Sequence, residues 1–297
     1  MKTLSLALCG LLGAGAVVGQ MKKQFTVDNM ENCAWVNLAL KAKTGNCIIR
    51  PTQNSELLDF YSNQELEDYA HSFSNEVRNA VCYVKLALEQ ESKAGVSKKI
   101  SYQVLGKESE ASDKFWKVYL TDSKPYSLEL AYGLGNANID LSGLSIKRLK
   151  INTGSADVHV FYATGMENKV EMDTFFVKVD LGSVNVKQLN LSHSKVVVAE
   201  VGFGNIYLDF SNKPVVVPSV KGSVGAGNMI ILLPDESVPV IVRINQSWLC
   251  SIKLSRGLKK TDENTYTNAA YDNNPKNALT FDLDVSMGKI LFKDKVH

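Results

Sequence analysis

The sequence predicts an all-β chain whose central and C-terminal parts form a solenoid of the parallel β-helix or β-roll kind. Three observations carry this expectation. A Gly-Asx unit followed by alternating apolar residues recurs along the chain, second alternating strands lie between the units, and helical periodicity is absent from about 126 to 256.

The first twenty residues come in the order of a secretory signal peptide: Met1-Lys2-Thr3, an apolar run from Leu4 to Leu12, the small residues Gly13 to Ala16, then Val17-Val18-Gly19-Gln20. Val17 and Gly19 fit the −3 and −1 positions, so residues 1–19 are assigned as signal and Gln20 as the mature N-terminus. The apolar run is shorter than the roughly 20 residues that cross a bilayer as a helix. Cys9 falls inside it and leaves with it. No later segment is apolar for long enough to span a membrane, and the expected location is periplasmic or cell-surface associated.

Residues 20–125 read as a mostly β region. Trp35 to Leu40 alternates, Lys43-Thr44-Gly45-Asn46 makes a turn, and Cys47 to Arg50 continues as strand. Tyr83 to Leu88 nearly repeats the first of these strands. Ser62 and Glu65 also form a possible capping box, and Leu66, Tyr69, Phe73, Val77, Ala80, Val84 and Leu88 recur at helical spacing. Strand is favoured for 80–88, with a short helix allowed at 63–72. The polar run Lys107 to Lys114 is predicted to be a loop.

Residues 126–297 form the expected solenoid. Gly135-Asn136-Ala137-Asn138-Ile139-Asp140-Leu141 returns loosely as Gly154-Ser155-Ala156-Asp157-Val158-His159-Val160, Gly182-Ser183-Val184-Asn185-Val186, Gly204-Asn205-Ile206-Tyr207-Leu208 and Gly227-Asn228-Met229-Ile230-Ile231. With Asx at 136, 157, 185, 205 and 228, successive units lie 20 to 28 residues apart. Gly135, Asn136, Gly154, Asp157, Gly182, Asn185, Gly204, Asn205, Gly227 and Asn228 are therefore assigned to rung corners, since Gly and Asx tolerate the positive φ of a tight turn. The alternating residues after each corner form half-buried strands that stack on the next rung. Lys259 to Asn277 is expected as a long irregular excursion, and Leu279 to Val285, Ser286-Met287-Gly288 and Lys289 to Phe292 close the chain as strand, turn and strand.

The formal charge of +2 in 297 residues, with both signs interspersed, leaves no basic stripe for nucleic acid. Cys33, Cys47, Cys82 and Cys250 remain after processing, and in an oxidising compartment they permit two disulfides in any of three connectivities, or four free thiols. No CxxC or His-rich spacing points to a metal, and His71, His159, His193 and His297 are scattered.

Gly133 to Leu144, with Leu149 to Val158 and the closing Tyr266-Thr267-Asn268 and Leu279 to Ile290, resembles the signature of bacterial toast-rack domains. These are related to the auto-transporter adhesin-like and cell-wall-active-antibiotics-response groups. The resemblance covers roughly 126–290. It implies a parallel β-helix or roll at the bacterial envelope, with no enzymatic activity common to the group and no catalytic residues to carry over.

Chemical constellations are sparse. The Gly-Asx spacing is too long for nine-residue calcium repeats. Asp282 and Asp284 share one strand face and are expected to face water. Asp140, Asp157, Asp180 and Asp209 would converge as an acid pair only if the rungs place them together. Neither a Gly-x-Ser-x-Gly elbow nor a phosphate loop is present, and Gly222 to Gly227 lacks the lysine. The expected function is a noncatalytic, adhesin-like envelope module without a cofactor, binding a protein or glycan. Trp116, Tyr119, Phe203 and Tyr207 are candidate contacts. The alternatives are a solenoid-type polysaccharide-active enzyme and an envelope-stress component.

Overall fold

The computed structural model describes residues 21–63, 70–89 and 114–295. The signal peptide, most of the 63–72 helix, nearly all of the 107–114 loop and His297 lie outside these residues.

In the N-terminal part, β1 (Lys22–Val27), β2 (Trp35–Thr52), β3 (Leu58–Ser62), β4 (Ala70–Arg78), β5 (Val81–Glu89), β6 (Phe115–Thr121) and β7 (Tyr126–Asp140) follow one another. The chain then alternates between two sheets: β8 (Ile146–Thr153) and β9 (Asp157–Phe161), β10 (Met172–Val179) and β11 (Ser183–Val186), β12 (Ser194–Val201) and β13 (Asn205–Asp209), β14 (Ser219–Val224) and β15 (Asn228–Leu232). It ends with β16 (Val240–Gln246), β17 (Ser251–Lys253), β18 (Lys259–Asp262), β19 (Thr265–Thr267), α1 (Ala269–Asn273), β20 (Leu279–Val285) and β21 (Lys289–Lys293).

The strands form parallel ladders on either side of a corner. The first halves of β2 and β7 lead into β8, β10, β12 and β14 on one sheet, while their second halves lead into β9, β11, β13 and β15 on the other. Alternation fixes what each sheet buries. One interior column runs Leu38, Leu128, Leu149, Phe175, Val197, Val220, Phe281, Val242, and facing it Cys47, Ala137, Val158, Val184, Ile206, Met229, Ile290 line the other sheet. Stacking like residue on like residue gives a continuous core with no rung able to bury its own face alone.

Rung order departs from chain order at both ends. β2 lies between β7 and the rung formed by β5 and β6, which follow it in sequence. The rung of β20 and β21 lies between β14–β15 and β16–β17, which precede it. Antiparallel strands flank the terminal rungs: β4 on β5, β3 on β6, β1 on β3, and β19 on β16 with β18 beyond it.

Three expectations are corrected. Residues 70–72 of the helix allowed at 63–72 are strand, as is most of the stretch whose helical spacing ran on to Leu88: β4 and β5 form a hairpin whose two turn residues, Asn79 and Ala80, have φ of 51° and 60°. Ring packing reinforces this strand, since Phe73 stacks on Phe25 with centroids 4.4 Å apart. Lys259 to Asn277 is not irregular, because β18 and β19 pair as a hairpin and α1 follows, its N-terminus capped by Asn268 Oδ1 accepting the Tyr271 N–H at 3.2 Å. Finally, the corner glycines need space more than unusual dihedrals. Of Gly135, Gly154, Gly182, Gly204 and Gly227, Gly135 alone has a positive φ, at 118°.

Two buried asparagines join successive connections. Asn168 Oδ1 accepts the Ile146 N–H at 2.7 Å, and its Nδ2 donates to the carbonyls of Ile146, Val170 and Ser192. Asn268 acts in the same way at the C-terminal end, accepting from Val240 N–H at 2.9 Å and donating to Val238 O at 2.8 Å.

Candidate functional site

Each corner reads as four residues. Gly133-Leu134-Gly135-Asn136, Gly154-Ser155-Ala156-Asp157, Asp180-Leu181-Gly182-Ser183, Gly202-Phe203-Gly204-Asn205 and Gly225-Ala226-Gly227-Asn228 superpose rung by rung through bonds such as Asn205 N–H to Gly182 O at 3.0 Å and Asn228 N–H to Gly204 O at 2.9 Å. This register moves two of the sequence assignments. Gly154 stands in the first glycine column with Gly133, leaving the second to Ala156, and Ser183 rather than Asn185 stacks between Asp157 and Asn205. Fourth-position side chains bond along the stack: Asn136 Nδ2 to Asn46 Oδ1 at 3.1 Å, Ser183 Oγ to Asp157 Oδ1 at 2.5 Å, and Asn228 Nδ2 to Asn205 Oδ1 at 2.8 Å.

Asn185, displaced from the corner, lies two residues further on, in the outward-facing column Asn138, His159, Asn185, Tyr207. Along this column a cleft of about 760 Å³ opens between the sheet and the connections at Tyr162–Gly165 and Lys187–Gln188. Neighbouring members of the column stand about 4.8 Å apart, the spacing of hydrogen-bonded strands. Lys187 and Asp209 occupy the next outward column.

Polar groups in the cleft differ in how fully they are used. Asp209 is engaged, its Oδ1 accepting the Ser211 N–H at 2.8 Å and its Oδ2 the Gln188 N–H at 3.3 Å. Asn185 Oδ1 is shielded from solvent and has no hydrogen-bond partner, and the buried Tyr162 hydroxyl is in the same condition. Burial, with Asp140 nearby, pushes the Tyr162 hydroxyl well up, and partial burial beside Asp209 raises Tyr207. The cleft wall itself is polar, and its amide, imidazole and lysine groups suit a ligand rich in hydroxyls.

The four rung aspartates do not assemble into an acid pair. Asp140 caps its own turn, accepting from Ser142 Oγ at 2.6 Å, Ser142 N–H at 3.0 Å and Ala163 N–H at 3.2 Å. It lies in the same column as Asp209 but three rungs away, roughly 14 Å at the ordinary strand spacing. Asp157 sits at the opposite end of its strand, bonded to Ser183, and Asp180 is at the corner itself. Asp282 and Asp284 face outward and meet the neighbouring rung, Asp282 through Arg243 at 3.1 Å and Asp284 through Asn245 at 2.9 Å.

Of the aromatic candidates, Trp116 is buried, Tyr119 packs edge-on against Tyr61 at 5.5 Å, Tyr207 continues the cleft column and Phe203 projects from a corner. Among the cysteines, Cys33 and Cys82 form a disulfide, while Cys47 and Cys250 are free thiols. Sequence reasoning missed Asn138, His159 and Lys187 as a group. The signal was present two residues after each corner, but aligning Asn185 with Asn136 hid it.

No helix among the described residues is long and apolar enough to cross a membrane. No curated protein sequence matches this chain. Two solved structures are similar over most of their length. One, a "putative cell adhesion protein" from Clostridium sporogenes, is 15% identical and covers 93% of this chain and 99% of its own, with a TM-score of 0.46. The other, a "putative adhesin" from Bacteroides fragilis, is 13% identical and covers 93% of this chain and 97% of its own, with a TM-score of 0.37. Residues 17–175, more than half of the chain, match the family described as the N-terminal domain of toast_rack, DUF2154, and the chain belongs to that family.

Proposed function

We propose that the chain is a noncatalytic, exported module of the cell envelope or cell surface that binds a glycan in the cleft along Asn138, His159 and Asn185. The observation that carries this reading is the polar cleft built from consecutive rungs, with Asn138, His159, Asn185 and Lys187 along its wall. Amide, imidazole and lysine groups repeated at rung spacing suit successive hydroxyls of an extended sugar chain. The turn-capping roles of Asp140 and Asp209 and their separation favour binding over glycan cleavage. A disulfide between Cys33 and Cys82 accords with an oxidising compartment.

The test incubates the chain from Gln20 with immobilised cell-wall and extracellular polysaccharides, following both retained protein and released sugar. Retention without release, lost in Asn185→Ala and His159→Ala, is the expected result. Sugar release that disappears in Asp140→Asn or Asp157→Asn would overturn the noncatalytic reading.

A further inference from the structure

The second residue of each corner unit points out of the solenoid, and along most of the stack it is apolar. Leu134, Leu181, Phe203, Met287 and Trp248 follow one another from the rung of β7 to that of β16 and β17, interrupted by Ser155 and Ala226, and Leu249 is exposed beside Trp248 in the last corner, which is one residue longer than the others. Phe203 is 71% exposed and Trp248 90%. Together these six are the majority of the large hydrophobic side chains exposed among the described residues. Corner backbones bond from rung to rung, as Phe203 N–H does to Asp180 O at 2.8 Å, so the row follows one edge of the stack. Six rung steps at about 4.8 Å make it roughly 29 Å long.

We propose that this apolar ridge seats the protein on a zwitterionic lipid surface, with the ridge side chains entering the headgroup layer. Shape is the first argument. A row of side chains along one outer corner of the stack can meet a plane, whereas a globular partner would need a matching groove. Strand addition is closed to this edge, because corner N–H groups already donate across rungs: Leu181 to Gly154 O, Phe203 to Asp180 O, Ala226 to Gly202 O and Met287 to Gly225 O, all at 2.8 Å.

Charge is the second. One flank carries the uncharged Asn136, Ser183, Asn205 and Asn228, and nearby Asp157, Asp180, Glu200 and Asp284 outnumber Lys178 and Lys289. Such flanks do not draw the ridge to anionic lipid, while Trp248 at its end is the side chain best suited to a lipid–water interface. This inference concerns the corner and is independent of the cleft.

The experiment uses the chain from Gln20, so that the apolar run Leu4 to Leu12 contributes nothing, and measures co-sedimentation with phosphatidylcholine vesicles alongside tryptophan emission. Binding with a blue shift is expected, and Phe203→Ser/Trp248→Ser should weaken it by at least about tenfold. If that variant loses its thermal transition, Leu181→Ser/Met287→Ser replaces it with the same expectation. The proposal is overturned if the unsubstituted chain ignores these vesicles, if ridge variants bind equally well, if binding requires anionic lipid, or if sedimentation velocity shows a dimer that the ridge substitutions dissolve.

Discussion

Gly204 stacks on Gly182 so closely that a Cβ on Gly204 would overlap the Gly182 carbonyl oxygen and stand 2.6 Å from Val179 Cγ1. The same relationship recurs between Gly227 and Gly204 and between Gly288 and Gly227. Gly204→Ala must therefore push two rungs apart or displace Val179, and a loss of about 2–4 kcal/mol is expected. Gly165 provides the contrast: its φ is 71° but nothing lies within 4 Å of its missing Cβ, so Gly165→Ala bears backbone strain alone, about 1–2 kcal/mol. Urea unfolding of the two variants tests the difference, and equal losses would show that the corner tolerates a methyl group.

Asn168 is 1% exposed and binds backbone groups of three connections through one amide. Asn168→Ala strands the Ile146 N–H and several carbonyls, for an expected loss of about 2–4 kcal/mol. Asn168→Asp keeps the shape but removes the donor, so it should not restore stability. Denaturation midpoints of both variants against the unsubstituted chain decide this.

The sequence made the solenoid and its corners legible because period-2 alternation states which face each residue takes. It does not state register. A slip of two residues keeps every side chain on its own face, which is how Asn185 could be placed in the corner that belongs to Ser183. The N-terminal ambiguity has a similar origin: residues four apart, such as Phe73 and Val77, share a face in a strand as well as in a helix. Rung order was hidden for another reason. Nothing in Leu279 to Val285 records that its neighbours will be β14 and β16, since a parallel strand's partner is chosen by the assembled stack. The cleft, on rungs that follow chain order, depended on register and so stayed out of reach.

Cys47 and Cys250 should differ sharply in reactivity. Burial pushes the Cys47 thiol up to about 12, outweighing a hydrogen bond from the Tyr132 hydroxyl at 3.6 Å, whereas Cys250 is only partly buried. At pH 8 an aromatic disulfide reagent should titrate Cys250 in the native protein and Cys47 only as it unfolds. Rapid native labelling of two thiols would contradict the buried placement of Cys47.

Asp59 gives the N-terminal strands a dependence on pH. It is 1% exposed and would be raised by burial, but Lys23 at 2.9 Å, Thr26 Oγ1 at 2.8 Å and Asn54 Nδ2 at 3.2 Å outweigh that and hold its carboxyl below the usual value. A depressed folded-state pKa means that the unfolded chain takes up the proton first. The stabilisation is therefore complete above the unfolded pKa of about 3.9 and is lost as pH falls through the lower folded value. Asp59→Asn should flatten the stability profile below about pH 4 while costing stability at neutral pH, where the Lys23 pairing is lost. Thermal unfolding of both proteins from about pH 6 down to pH 2 reads this directly: converging melting temperatures at the acid end are expected, and curves that remain parallel throughout would remove Asp59 from the acid response.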